Sequence, residues 1–149
     1  MKHRKSFYMI IIWTCIIFGQ SLLNGDLSSV ESGTFTAFFN QLLMIVNIQI
    51  DMDLLHTIVR KTAHVGSYFI LALCYIYFFI KNEINKTYQF YMILLFILIT
   101  GLLDEGIQSL IEGRTSSLYD VGFDFLGGLI AFICFQIINL MYNRHVKKI

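Results

Sequence analysis

Ionisable and amide side chains gather in a few short stretches of an otherwise apolar chain of 149 residues. Arg60, Lys61, His64 and Tyr68 form one group, Asp104, Glu105 and Gln108 a second, and Asp120 and Asp124 a third, with Arg114 between the last two and Gln20 well ahead of them all. The imidazole of His64 can exchange a proton near neutral pH, and Asp104, Glu105 or Asp120 can act as a second acid or base. Arg60, Lys61 and Arg114 can hold a phosphate or carboxylate through charge-assisted hydrogen bonds, with Tyr68, Gln108, Asp124 and Gln20 as further ligand-binding candidates. The clustered carboxylates also offer oxygen ligands to a hard divalent metal such as Mg²⁺ or Ca²⁺, although no ligand set stands out.

Spacing says which of these can meet. Lys61, His64 and Tyr68 are three and four residues apart, as are Arg60 and His64, so one helix face carries them. Asp104 with Gln108, Glu105 with Gln108, and Asp120 with Asp124 share faces in the same way. If the three faces point inward, they enclose a small polar chamber. The plain alternative is a structural clamp, in which three cations nearly neutralise the four carboxylates Asp104, Glu105, Asp120 and Asp124; such pairing is poor evidence of stability by itself. No nucleophile elbow, phosphate loop or HExxH motif points to a named reaction.

The elements that must hold these residues are membrane helices. Hydrophobic residues make up 56% of the chain and charged residues 14%, against roughly 45 to 50% and about 25% in soluble domains. A mean hydropathy of +0.67 and the lack of proline argue against disorder. Apolar stretches long enough to cross a bilayer as helix cover residues 7–23, 63–80, 88–108 and 121–142. Lys2, Arg4 and Lys5, then Lys81 and Lys86, then Arg144, Lys147 and Lys148 all fall on one side of such a four-span chain, which places both termini in the cytoplasm and the polar groups at the outer helix ends. A cleaved signal peptide is the competing reading of the first span, with Gly19-x-Ser21 as its small-x-small site; the uncleaved span is preferred.

Between the first two spans, residues 24–33 are polar, with Ser28, Ser29 and Ser32 as caps. Phe35, Phe38, Phe39, Leu42, Leu43 and Val46 then recur at helical spacing, as in an amphipathic helix on the outer surface or one packed on the bundle as ordinary core. The expected fold is therefore all-α, one domain over residues 1–149: an integral membrane four-helix bundle with an extracytoplasmic amphipathic helix between its first two helices. Gly127, Gly128 and Ala131 form a small-residue face suited to close helix packing. In the loop before the last span, Gly113 permits a positive-φ turn and Ser117 a helix cap.

A net charge of +1 leaves no basic field to gather nucleic acid. Cys15, Cys74 and Cys134 stand singly in apolar runs, without metal or redox spacing. The inner half of the bundle has no charge and no polar path, which disfavours transport.

The combination Arg60-Lys61-x-x-His64-x-x-x-Tyr68, Asp104-Glu105-x-x-Gln108, Gly113-Arg114 and Asp120-x-x-x-Asp124-x-x-Gly127 resembles the VanZ-like family of small bacterial membrane proteins. Phe18-Gly19-Gln20-Ser21, followed by Ser28 and Ser32, is similar to that family's N-terminal pattern. The resemblance implies about four helices in the bacterial cell membrane and an association with resistance to teicoplanin and related lipoglycopeptides. It also implies an acidic residue where Ser67 stands and Asn where Asp124 stands, so the charge inventory departs from the pattern. Two functions fit: an outer-leaflet site that binds a lipid, a lipid-linked cell-wall precursor or the lipoglycopeptide, and a membrane-embedded enzyme modifying a lipid head group or such a precursor.

Overall fold

The computed structural model describes residues 4–146, apart from the side chains of Asp26, Ser28, Ser29, Glu31 and Val146. Lys2, Lys147 and Lys148 of the expected cytoplasmic set, and the capping groups of Ser28 and Ser29, thus lie outside the described residues. Among the described residues there are five helices and no strand: α1 Arg4–Ser21, α2 Gly25–Ile45, α3 Met52–Lys81, α4 Lys86–Gln108 and α5 Leu118–Val146.

Short polar side chains set where the helices begin, because the first turn of a helix leaves backbone donors open. Asn24 Oδ1 accepts from Leu27 N at 2.9 Å, and Asn85 Oδ1 from Thr87 N at 2.8 Å. Asp51 Oδ1 takes both Asp53 N and Leu54 N at 3.1 Å. Ser117 Oγ accepts from Tyr119 N at 3.2 Å, which is the cap expected there. Asn24 starts α2 ahead of the serines, so the polar stretch is itself helical.

Three helices, α3, α4 and α5, are long and apolar enough to cross a membrane, and the expected spans 63–80, 88–108 and 121–142 lie within them. Their 30, 23 and 29 residues reach about 45, 35 and 44 Å at 1.5 Å per residue. α1, the expected first span, is outside that set: its 18 residues reach about 27 Å, and Arg4, Lys5, Gln20 and Ser21 occupy its ends.

Side-chain contacts fix the helix directions. Trp13 Nε1 donates to Ser67 O at 2.8 Å, and Phe7 meets Phe78, so α1 runs against α3. Tyr75 stacks on Phe96 with centroids 5.3 Å apart, so α4 also runs against α3. Residue Gly127 of α5 lies against Val65 of α3, where a Cβ would stand 2.3 Å from the Val65 carbonyl oxygen; these two helices run parallel at backbone contact, the use expected for the small-residue face. Leu71, Ala72, Ile93, Ile97 and Ala131 are fully enclosed between the helices.

α2 lies beside the start of α3, with Ser32 Oγ and His56 Nε2 hydrogen bonded at 2.7 Å. Its Phe35, Phe38, Phe39 and Leu42 are 45 to 59% exposed, so the stripe is not ordinary core. Ile70, Leu73, Ile99, Leu102, Ile130 and Ile133 are likewise exposed on the long helices, large apolar side chains of the kind that lipid tolerates and water does not.

Candidate functional site

Because α3 and α5 run parallel, a four-residue step on one matches a four-residue step on the other. Asp120, in the first turn of α5, receives Arg60 Nη2 on Oδ2 at 3.2 Å and Lys61 Nζ on Oδ1. One turn further along both helices, His64 Nδ1 donates to Asp124 Oδ1 at 2.9 Å. The two carboxyl groups are 1% and 0% exposed, so both cation and imidazole replace lost water.

The last turn of α4 faces this pair of helices with Asp104, Glu105 and Gln108, all buried. Ser21 Oγ, at the end of α1, donates to Asp104 Oδ1, and Gln108 Nε2 donates to Asp104 Oδ2 at 3.1 Å. Glu105 Oε2 accepts the backbone N–H of Ser117 at 2.6 Å, tying the end of α4 to the start of α5. Oε1 of Glu105, Oδ2 of Asp124 and the Tyr68 hydroxyl are buried without a hydrogen-bond partner. Buried polar atoms are rarely left so.

A cavity of about 180 Å³ opens at this end of the helices, lined by the polar Gln20, Arg60, His64, Tyr68, Asp104, Gln108 and Arg114 and by the apolar Ile17, Phe35, Val59 and Ala63. Arg114 is delivered by the loop between α4 and α5, where Gly113 adopts φ +76°. That loop is pinned to α2: Gly25 N donates to Glu112 O at 3.2 Å, and a Cβ on Gly25 would stand 2.1 Å from the Gly113 oxygen. Burial, and then the neighbouring Arg60 charge, lower the Arg114 guanidinium from its ordinary value, while Asp104 and Glu105 oppose them; a guanidinium stays charged throughout.

Of the residues singled out from the sequence, Gln20, Arg60, His64, Tyr68, Asp104, Gln108 and Arg114 therefore share one cavity, whereas Lys61, Asp120 and Asp124 are joined to its wall by the contacts above and Glu105 is bonded to the Ser117 N–H behind it. Ligand atoms of His64, Asp104 and Glu105 lie within 4.8 Å of one another, close enough for a metal ion. Unforeseen were the bond from Ser21 to Asp104, the Ser117 N–H on Glu105 and the placing of Ser67, whose carbonyl anchors Trp13. The one signal for Ser21 was a hydroxyl beside Gln20 at the end of an apolar run.

A family model described as VanZ/LLP1 matches residues 6–139. The chain belongs to the VanZ/LLP1 family. The match takes in every residue of the cavity and runs from α1 into the last third of α5, and together with the three long apolar helices it marks a membrane protein. No curated protein and no solved structure matched. The two departures noted from the VanZ-like pattern both fall in this site: Ser67 lines the cavity, and Asp124 gives His64 a carboxylate partner where an Asn would give an amide.

Proposed function

We propose that this VanZ/LLP1 protein binds the anionic head group of a membrane lipid or lipid-linked cell-wall precursor at the outer leaflet, and through that binding contributes to resistance to teicoplanin-type antibiotics. One observation carries the reading. Arg60 and Arg114, from different elements, line a single cavity together with the apolar side chains of Ile17, Phe35, Val59 and Ala63. Paired guanidiniums suit phosphate or carboxylate oxygens, and the apolar lining suits the first segment of a lipid chain. At about 180 Å³ the cavity is smaller than the 300 to 1,000 Å³ typical of drug-sized ligands (roughly). It takes a head group or the tail of a lipoglycopeptide, and not the whole antibiotic.

The membrane arrangement in this reading has α1 as a fourth spanning helix and both termini in the cytoplasm. Arg4, Lys5, Lys81, Lys86 and Arg144 sit at the helix ends opposite the cavity, which supports it through the bias of Lys and Arg toward the cytoplasm. The exposed Phe35, Phe38 and Phe39 of α2 then lie in the outer interface, where an amphipathic helix buries its apolar face.

A second reading, an enzyme that modifies the head group or precursor, draws on the His64–Asp124 pair standing beside Asp104 and Glu105. A carboxylate behind an imidazole orients it for proton transfer. Titrating the purified protein, in nanodiscs of neutral lipid, with a lipid-linked cell-wall precursor separates the readings. Saturable binding that weakens in Arg114→Gln and Arg60→Gln is the expected result. Release of a modified precursor would favour the enzyme, and the lack of any saturable binding would contradict both.

A further inference from the structure

We infer that His64, Asp104 and Glu105 form a binding site for one divalent transition-metal ion of the Mn²⁺ or Zn²⁺ class. Three independent features converge. The ligand atoms come from two helices and lie within 4.8 Å of one another; ions bound at about 2.0 to 2.2 Å need ligands about 3 to 4 Å apart, so a small side-chain adjustment closes the site. Glu105 is 5% exposed, and its Oε1 has no hydrogen-bond partner while Oε2 is held by Ser117 N, which leaves one carboxylate oxygen fixed in place and unsatisfied. His64 has the carboxylate support that metal-bound imidazoles have: its Nδ1 stands 2.9 Å from Asp124 Oδ1, and with Nδ1 donating to that carboxylate Nε2 keeps its lone pair to ligate.

Charge points the same way. Asp120 is matched by Arg60 and Lys61. Asp104, Glu105 and Asp124, all buried, then share Arg114, the His64 ring and the charge of Lys61, already bonded to Asp120, so the four carboxylates outnumber the three cations Arg60, Lys61 and Arg114, and a bound cation offsets the excess. The donor set selects the ion: carboxylates alone suit Mg²⁺ or Ca²⁺, whereas adding an imidazole shifts preference toward first-row transition metals. His64 and Asp104 also line the cavity, so the ion is reached from the same opening as a head group. The inference shares that cavity but not its proposed ligand, because metal retention is read with no lipid added.

The test uses the full chain in detergent, stripped with chelator and reloaded with Mn²⁺ or Zn²⁺ against excess Mg²⁺. Metal analysis is expected to return one equivalent per chain. Mn²⁺-loaded protein should show nitrogen hyperfine coupling from one imidazole by pulsed paramagnetic resonance. Glu105→Gln, which still accepts from Ser117 N, should lower affinity at least tenfold, and His64→Asn should remove the nitrogen coupling. Asp53→Asn, exposed at the start of α3, should retain the ion. No retention above the Mg²⁺ background, or equal retention and unchanged coupling in Glu105→Gln and His64→Asn, overturns the site. If a variant does not fold, the coupling in the native chain still decides.

Discussion

His64 and Asp124 are sixty positions apart in the chain, yet Nδ1 of one stands 2.9 Å from Oδ1 of the other. The contact exists because Gly127, one turn beyond Asp124, lets α5 lie directly on the α3 backbone at Val65. An orienting carboxylate of this kind holds the ring for ligation or proton transfer without touching the ligand itself. Asp124→Asn should therefore leave the fold nearly unchanged, since the amide oxygen still accepts from Nδ1. Metal affinity should fall by about 10- to 100-fold, and competition titration with a metal-sensitive dye measures it.

Asp120 has a different role from its neighbours. It takes two cations and is 1% exposed, whereas the side chains of Arg60 and Lys61 are 40% and 22% exposed. Losing its charge leaves two cations that still reach water, so Asp120→Asn should cost about 1.5 to 3 kcal/mol, less than breaking a wholly buried pair. Reversible unfolding in mixed micelles reads that loss, and binding should fall only in step with folded protein.

Two glycines in α5 make a matched pair. A Cβ on Gly127 collides with the Val65 carbonyl at 2.3 Å, while one on Gly122 meets nothing within 4 Å. Gly127→Ala must push α3 and α5 apart, at a cost toward the upper end of about 1 to 3 kcal/mol. Gly122→Ala should be neutral or gain about 0.5 to 1 kcal/mol through helix propensity. Melting temperatures of the two proteins, recorded side by side, give the comparison.

Much of this arrangement is legible in the sequence, and for a physical reason. Residues 60–68, 104–108 and 120–124 repeat at three- and four-residue intervals inside apolar runs, and buried helix faces are the only economical place for charges so spaced. Spacing along one helix says nothing about which face opposes which. The assignment of Arg60 and Lys61 to Asp120, and of His64 to Asp124, depends on the parallel register of α3 and α5 and emerges only in three dimensions. Ser21 and the Ser117 N–H were not foreseen because a serine and a backbone amide look the same in sequence wherever they lie. The start of α2 at Gly25 was likewise hidden, since it depends on the contact of that residue with Glu112 and Gly113 across the fold.

The orientation in the membrane yields its own expectation. With Lys81 and Lys86 bracketing the turn between α3 and α4, and Arg114 in the turn between α4 and α5 beside the cavity, the two turns should lie on opposite faces. Reporter fusions truncated after Asn85 should be active in the cytoplasm, and those truncated after Ser116 should be active outside. The reverse pattern would place the cavity at the inner leaflet.

Whether the polar cluster is a ligand site or only a clamp is decided by Glu105→Gln. The substitution keeps the acceptor for Ser117 N and removes one buried charge. The quantity to measure is the teicoplanin concentration that inhibits a susceptible host expressing the native chain or this variant, with folded abundance determined in the same membranes. A ligand site predicts that the native chain raises the inhibitory concentration and that Glu105→Gln loses the effect at native abundance. Full resistance from Glu105→Gln at native abundance would contradict it.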